Sequence, residues 1–134
     1  MKTTQELREK YGRVSIHVCT KDRATEVALL FESLRKQTYG IDMFDIILVD
    51  DASGTPLMNL YFVQYLINRL KIEGCSFKCY RNQTSFGVCS ARQKAIDIDE
   101  FSDNWTLRLD DDVVLQKDYI EKLFRVIEEG YDMA

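Results

Sequence analysis

Two kinds of apolar pattern alternate along the chain. Val14 to Cys19 (VSIHVC) is a short run rich in β-branched residues and bounded by polar stretches, which predicts a buried strand. The polar loop TKDR follows. From Ala24 to Thr38 the apolar residues Val27, Leu30, Phe31 and Leu34 recur at helical spacing, which predicts a helix with one inward face. Asp45 to Val49 (DIILV) is nearly all apolar, as a strand covered on both faces of a parallel sheet should be, and it ends in Asp50 and Asp51. Gly54, Thr55 and Pro56 break that pattern. Leu57, Leu60, Val63, Leu66, Ile67 and Leu70 then mark a second amphipathic helix ending near Gly74. Ser76 to Tyr80 alternates and predicts a third, less buried strand, followed by the loop RNQTSFG. Val88 to Ile98 reads as a helix, Trp105 to Leu109 as a fourth strand, and Tyr119 to Glu129 as a helix with Ile120, Leu123, Phe124 and Ile127 on one face.

This β-α-β-α-β-α-β-α order needs right-handed crossovers and predicts an α/β fold with a mostly parallel sheet of four strands and helices on both sides. Ligands of such sheets bind at the carboxyl ends of the strands, near the reversal in strand order. Thr20 and Asp22, Asp50 and Asp51, Asn82, and Asp110 to Asp112 all follow strands at that edge.

Length and composition bound the picture. The chain of 134 residues is read as a single domain, with residues 1–12 a polar N-terminal extension. Hydrophobic residues make up 46% and there is one Pro, which excludes a disordered or collagenous chain. Lys and Arg number 18 against 22 Asp and Glu, so no overall basic footprint points to nucleic acid. No apolar run reaches the roughly 20 residues that span a bilayer. Four irregularly spaced cysteines make no disulfide framework and suggest reduced thiols in a cytoplasmic setting.

The strongest local signal is LRLDDDVVL, in which Asp110, Asp111 and Asp112 interrupt an apolar stretch. Adjacent carboxylates repel unless a cation or protons intervene. On extended chain Asp110 and Asp112 would share a side and Asp111 face away. Mg²⁺ or Mn²⁺ held by one or two carboxylates keeps positions open for diphosphate oxygens. The alternative is a solvated acidic turn favoured by the next helix's N-terminus. Asp50 and Asp51 have two readings as well: acceptors for a nucleobase or ribose, or a turn in which Asp51, Ser53 and Gly54 bond local backbone. His17, inside a predicted strand, reads as a satisfied core histidine, and Asp97, Asp99 and Glu100 as surface charge. Cys75 and Cys79 have no partners for a structural zinc site. Lys21 and Arg23 read as a solvated basic loop. The dinucleotide and P-loop glycine patterns are missing, which counts against nicotinamide cofactors and ATP.

Five segments, VSIHVCTKDR, SLRKQTY, DIILVDDAS, the N-x4-G-x3-AR spacing from Asn82 to Arg92, and LRLDDDV, together resemble the donor-binding half of inverting, family 2-like glycosyltransferases with the GT-A fold. The resemblance implies a Rossmann-like three-layer α/β/α sandwich and a site for a nucleotide-diphospho-sugar, such as a UDP-sugar. It places backbone around Cys19 and Thr20, with Asp22, at the nucleobase pocket, Asp51 on the nucleobase, and Asp50 on the ribose or in support of its loop. Asp110 and Asp111 would lie near ribose or sugar. Asp112, with Asp110, would ligate Mn²⁺ or Mg²⁺ through the DXD motif, and Arg92 would touch ligand or pair with the acidic run.

The sequence departs from the family pattern at Cys19 (commonly Pro), Lys21 (Tyr), Asp22 (Asn) and Gln93 (Asn), and the three changes in the first loop blur nucleotide preference. The resemblance implies a further strand around Gly130 to Ala134 and a general base beyond residue 134, so the chain reads as part of a longer enzyme. An acceptor saccharide or glycoconjugate, polysaccharide biosynthesis at the cytoplasmic face of a membrane, peripheral membrane association, and oligomers through an exposed sheet edge are expected on the same basis. Two rivals stay open: a non-catalytic nucleotide-binding or assembly module, and a Mg²⁺-dependent phosphoryl-transfer domain. The second is disfavoured because the first strand ends in Cys19 and Thr20 rather than in an acidic residue.

Overall fold

The computed structural model describes residues 1–101 and 103–132. Its strands are β1 (Val14–Thr20), β2 (Phe44–Asp51), β3 (Ser76–Asn82) and β4 (Trp105–Leu109). Its helices are α1 (Thr4–Tyr11), α2 (Ala24–Arg35), α3 (Tyr61–Ile72), α4 (Val88–Ile98) and α5 (Tyr119–Glu128). All pairings are parallel and the strand order is β3-β2-β1-β4. The chain therefore builds outward from β1 to β3, then crosses back to lay β4 on the other flank of β1. That reversal opens a crevice between the loops that follow β1 and β4. This is the α/β architecture that the alternating pattern predicts.

Period-two alternation divides the strand residues between two faces. Val14, Ile16, Val18, Phe44, Ile46, Leu48 and Leu109 face a large core with Leu7 of α1, Phe31 of α2, Ile67 of α3 and Phe124 of α5. Ile47 and Val49 face the other way, against Ala91 and Ala95 of α4, with Cys19 and Ile98 at the margin. Helices thus cover both faces, one thickly and one with α4.

Several boundaries differ from the sequence pattern, each for a local reason. Residues 1–12 contain α1, closed by a reciprocal cap: Thr3 accepts from the Glu6 amide at 3.2 Å and its own amide donates to the Glu6 carboxylate at 3.2 Å. Leu7 is fully buried and Tyr11 stacks on Phe124 with ring centroids 4.7 Å apart. Two inward residues are too few for a periodic signal. α2 stops at Arg35, not Thr38, because the Thr38 amide leaves the helix to donate to the Lys117 carbonyl at 2.7 Å. α3 starts at Tyr61, since Pro56 and a 3-10 turn over Leu57–Asn59 intervene, although Leu57 still fills the core. β2 and β3 run on to Asp51 and Asn82, so Asp50 and Asp51 lie within the ladder rather than after it. Of the segment in which the resemblance implies a further strand, Gly130 to Asp132 are not in a strand, and Met133 and Ala134 lie outside the described residues.

Candidate functional site

Asp50 and Asp51 are consecutive on β2 and so point to opposite faces. Asp50 lies on the large-core side, where its carboxylate accepts from the amides of Ser53 and Leu57, each at 3.0 Å. Those bonds fold the loop after β2, and Asp50 does not line the adjacent cleft. Of its two implied roles, loop support is the one its contacts describe. Asp51 lies on the α4 side and accepts from Asn82 Nδ2 at 2.8 Å, Ser85 Oγ at 2.7 Å and the Phe86 amide at 3.4 Å. Burial pushes its carboxyl up, but these hydrogen bonds outweigh it and hold the group below the ordinary carboxylate range. Asp51 is therefore a fixed anion at the cleft wall.

The loop after β1 is tied to the loop after β2. The Asp22 amide donates to Ser53 Oγ at 2.9 Å, and Asp22 Oδ1 accepts from the Gly54 amide at 2.7 Å. Asp22 takes a φ of 57°, a conformation that Asp tolerates better than most residues. It does not line the cleft either, so its contacts are those of a loop clamp.

The acidic run behaves differently from the extended-chain expectation. β4 ends at Leu109, so Asp110 to Asp112 form a turn and do not alternate. All three line the cleft. Asp111 is the buried one, accepting from Thr20 Oγ1 at 2.8 Å and lying 3.3 Å from an Arg23 guanidinium nitrogen. The same nitrogen is 3.3 Å from Asp112, and Arg92 lies 3.6 Å from Asp110. Arg23 is thus an ion-pair partner of the run rather than part of a solvated basic loop. Like-charge repulsion that the sequence alone leaves open is offset by these two arginines and the Thr20 hydroxyl.

Together these groups line a cleft of about 360 Å³ at the carboxyl edge of β1, β2 and β4. Cys19, Thr20, Asp51, Arg92 and the acidic run, all anticipated from the sequence, converge there with Arg23, Val88, Ala91 and Arg108. Cys19 is half-buried, and burial pushes its thiol up against the opposing pull of Arg92 and Arg108. The sequence offers one clue to Arg108: it alternates with Leu107 and Leu109, which belong to the core, and so must face the α4 side. His17, on the same side, is satisfied as expected, with Nε2 2.8 Å from Asp99 Oδ2. Its partner corrects the reading of Asp99 as surface charge, because that side chain is only 8% exposed and also accepts from the Phe101 amide.

Among the described residues no group of three or more His, Cys, Asp or Glu side chains is arranged around a common point. What the cleft offers is the two exposed carboxylates of Asp110 and Asp112. That donor set does not make an all-protein cage, but it fits Mg²⁺ or Mn²⁺, hard cations that take one or two carboxylates and complete their shell with water and phosphate oxygens.

An open parallel sheet with an acidic and arginine-lined crevice at its strand reversal defines an open, doubly wound α/β class. A model of glycosyl transferase family 2 matches residues 15–134, and the chain belongs to that family. Its fold is also that of crystallised S. aureus TarS, with a TM-score of 0.67 and 25% identity over 87% of this chain and 20% of that one. Crystals of TarS 1-349 in complex with UDP and with UDP-GlcNAc each give a TM-score of 0.68 at 23% identity over 87% of this chain. The chain spans 32% of the UDP-complexed chain, so it corresponds to a minor part of those proteins. No curated protein matches the sequence.

Proposed function

We propose that the chain is the donor-binding part of a metal-dependent, inverting glycosyltransferase that takes a UDP-sugar. The observation that carries this reading is the convergence of Asp51, Arg92 and the Asp110 to Asp112 run in one cleft at the strand reversal. Family membership and the UDP and UDP-GlcNAc complexes of TarS support it.

In this reading the backbone of Cys19 and Thr20 borders the nucleobase. Asp51, held ionised by Asn82 and Ser85, accepts from its N–H. Asp112 and Asp110 would hold Mn²⁺ or Mg²⁺, which when bound supplies Lewis-acid stabilisation of the departing diphosphate. Thr20 and Arg23 orient Asp111 and Asp112. Arg92, drawn toward Asp110, adds positive charge where the leaving group gains negative charge. Acceptors are saccharides or glycoconjugates, assembled at the cytoplasmic face of a membrane; no helix among the described residues is long and apolar enough to cross one.

Calorimetric titration of UDP, with Mn²⁺ and with chelator, tests the reading on wild type and Asp112→Asn. Binding that needs the cation and falls at least tenfold in the variant is expected. Binding indifferent to both would remove Asp112 and the metal from the donor site.

A further inference from the structure

Arg108 has no carboxylate within salt-bridge distance and no hydrogen-bond partner among the described residues, although it lines the cleft. Arg23, by contrast, is engaged by Asp111 and Asp112, and Arg92 by Asp110. Arg108 projects from the edge strand β4 to the α4 side and is exposed. It also lines a second groove, of about 560 Å³, that shares Arg92, Leu109 and Asp110 with the donor cleft and is lined as well by Gln116 and Tyr119.

The two spaces differ in charge. In the donor cleft Lys21, Arg23, Arg92 and Arg108 face Asp51, Asp110, Asp111 and Asp112, so the formal charges balance. In the second groove Arg92 and Arg108 face Asp110 alone, which leaves one positive charge in excess. A planar guanidinium with free donors pairs bidentately with phosphate or carboxylate, whereas a neutral sugar leaves its charge uncompensated.

We propose that Arg108 is an anion-recognition residue that selects an acceptor bearing a phosphate or carboxylate and seats it in this second groove. The proposal rests on the donor reading above. Asp110 borders both spaces, so an acceptor seated there lies beside the sugar to be transferred. Tyr119 in the same lining offers an aromatic surface to a sugar ring.

The test compares binding of glucose 6-phosphate and of glucose to the full-length protein, with and without saturating UDP and Mn²⁺. Wild type is expected to prefer the phosphate ester at least tenfold with UDP bound. Arg108→Gln is expected to abolish that preference, and Arg108→Lys to restore part of it. Arg108 is exposed, so these substitutions leave the core intact, and equal melting temperatures check this. No phosphate preference in wild type, or a preference that Arg108→Gln leaves unchanged, overturns the proposal. Loss of UDP affinity in Arg108→Gln with the phosphate preference retained also overturns it, and assigns Arg108 to the donor diphosphate. Failure of wild type to bind UDP counts against the donor reading alone, because the phosphate preference measured without UDP still decides the role of Arg108.

Discussion

On one face of the sheet α1, α2, α3 and α5 bury Phe31, Tyr39, Phe44 and Phe124 against a continuous apolar layer, with Tyr39 stacked on Phe124 at 4.9 Å between centroids. On the other face α4 lays Ala91 and Ala95 on Ile47 and Val49. Large side chains interdigitating on the first face carry most of the hydrophobic stabilisation. Small ones on the second let a helix approach closely and leave strand positions free for polar groups. Cys19, Asp51 and Arg108 all emerge on that thinner side and reach the cleft, while His17 is held there by Asp99. Core packing and cleft lining are thus separated by the pleat: neighbouring residues on one strand face different surroundings.

Five measurements test this division, and the first should show the largest effect. Phe31→Ala should cost about 3–5 kcal/mol in urea unfolding, since the ring is buried in the thick core; a loss below about 1 kcal/mol would remove the distinction between the faces. Asp50→Ala leaves the Ser53 and Leu57 amides unpaired in a buried turn and should cost about 2–3 kcal/mol, a structural loss from a residue adjacent to the cleft-facing Asp51. Ile47→Val, on the thin face, should cost only about 0.5–1.5 kcal/mol.

Acid titration gives a further, smaller contrast. Hydrogen bonds hold the Asp51 carboxyl below its ordinary value against the opposing push of burial, and the bond to His17 does the same for Asp99. Both groups therefore contribute stability that is present above the unfolded value of about 3.9 and is lost as pH falls through the lower folded values. Asp51→Asn and Asp99→Asn should each flatten stability-versus-pH curves below about pH 4. An unchanged slope would mean that neither carboxylate is held in the folded state as described. Asp112→Asn should be nearly silent in unfolding, within about 0.5 kcal/mol, because its carboxylate is exposed. Under the proposed donor reading its effect falls in UDP binding, and a destabilisation above about 2 kcal/mol would show that the acidic turn is part of the scaffold.

Strand and helix alternation was legible because each element here carries its period over several residues. α4 and β4 match the sequence pattern at both ends. α1 was not, since a cap and two apolar contacts replace a periodic stripe. The cleft was legible wherever chemistry is concentrated in one segment, as in the acidic run and in Asp51. Arg23 and Arg108 were harder, because an isolated arginine has the same pattern whether it is solvated, paired or poised toward a ligand. Asp99 was misread for a similar reason: its partner His17 lies 82 positions away in sequence.

The order of apolar runs by itself determined an α/β chain with a parallel sheet, because each run can bury its face in only one periodic way. It also put the acidic residues at the carboxyl edge, since they directly follow or end strands. Only the tertiary structure decided which of them meet. Strand order brought Thr20 to Asp111, the thin α4 face assigned Asp51 to the cleft and Asp50 to the loop, and the end of β4 at Leu109 made the acidic run a turn whose three residues line the cleft. Those choices depend on contacts between residues far apart in sequence, and local periodicity carries no information about them.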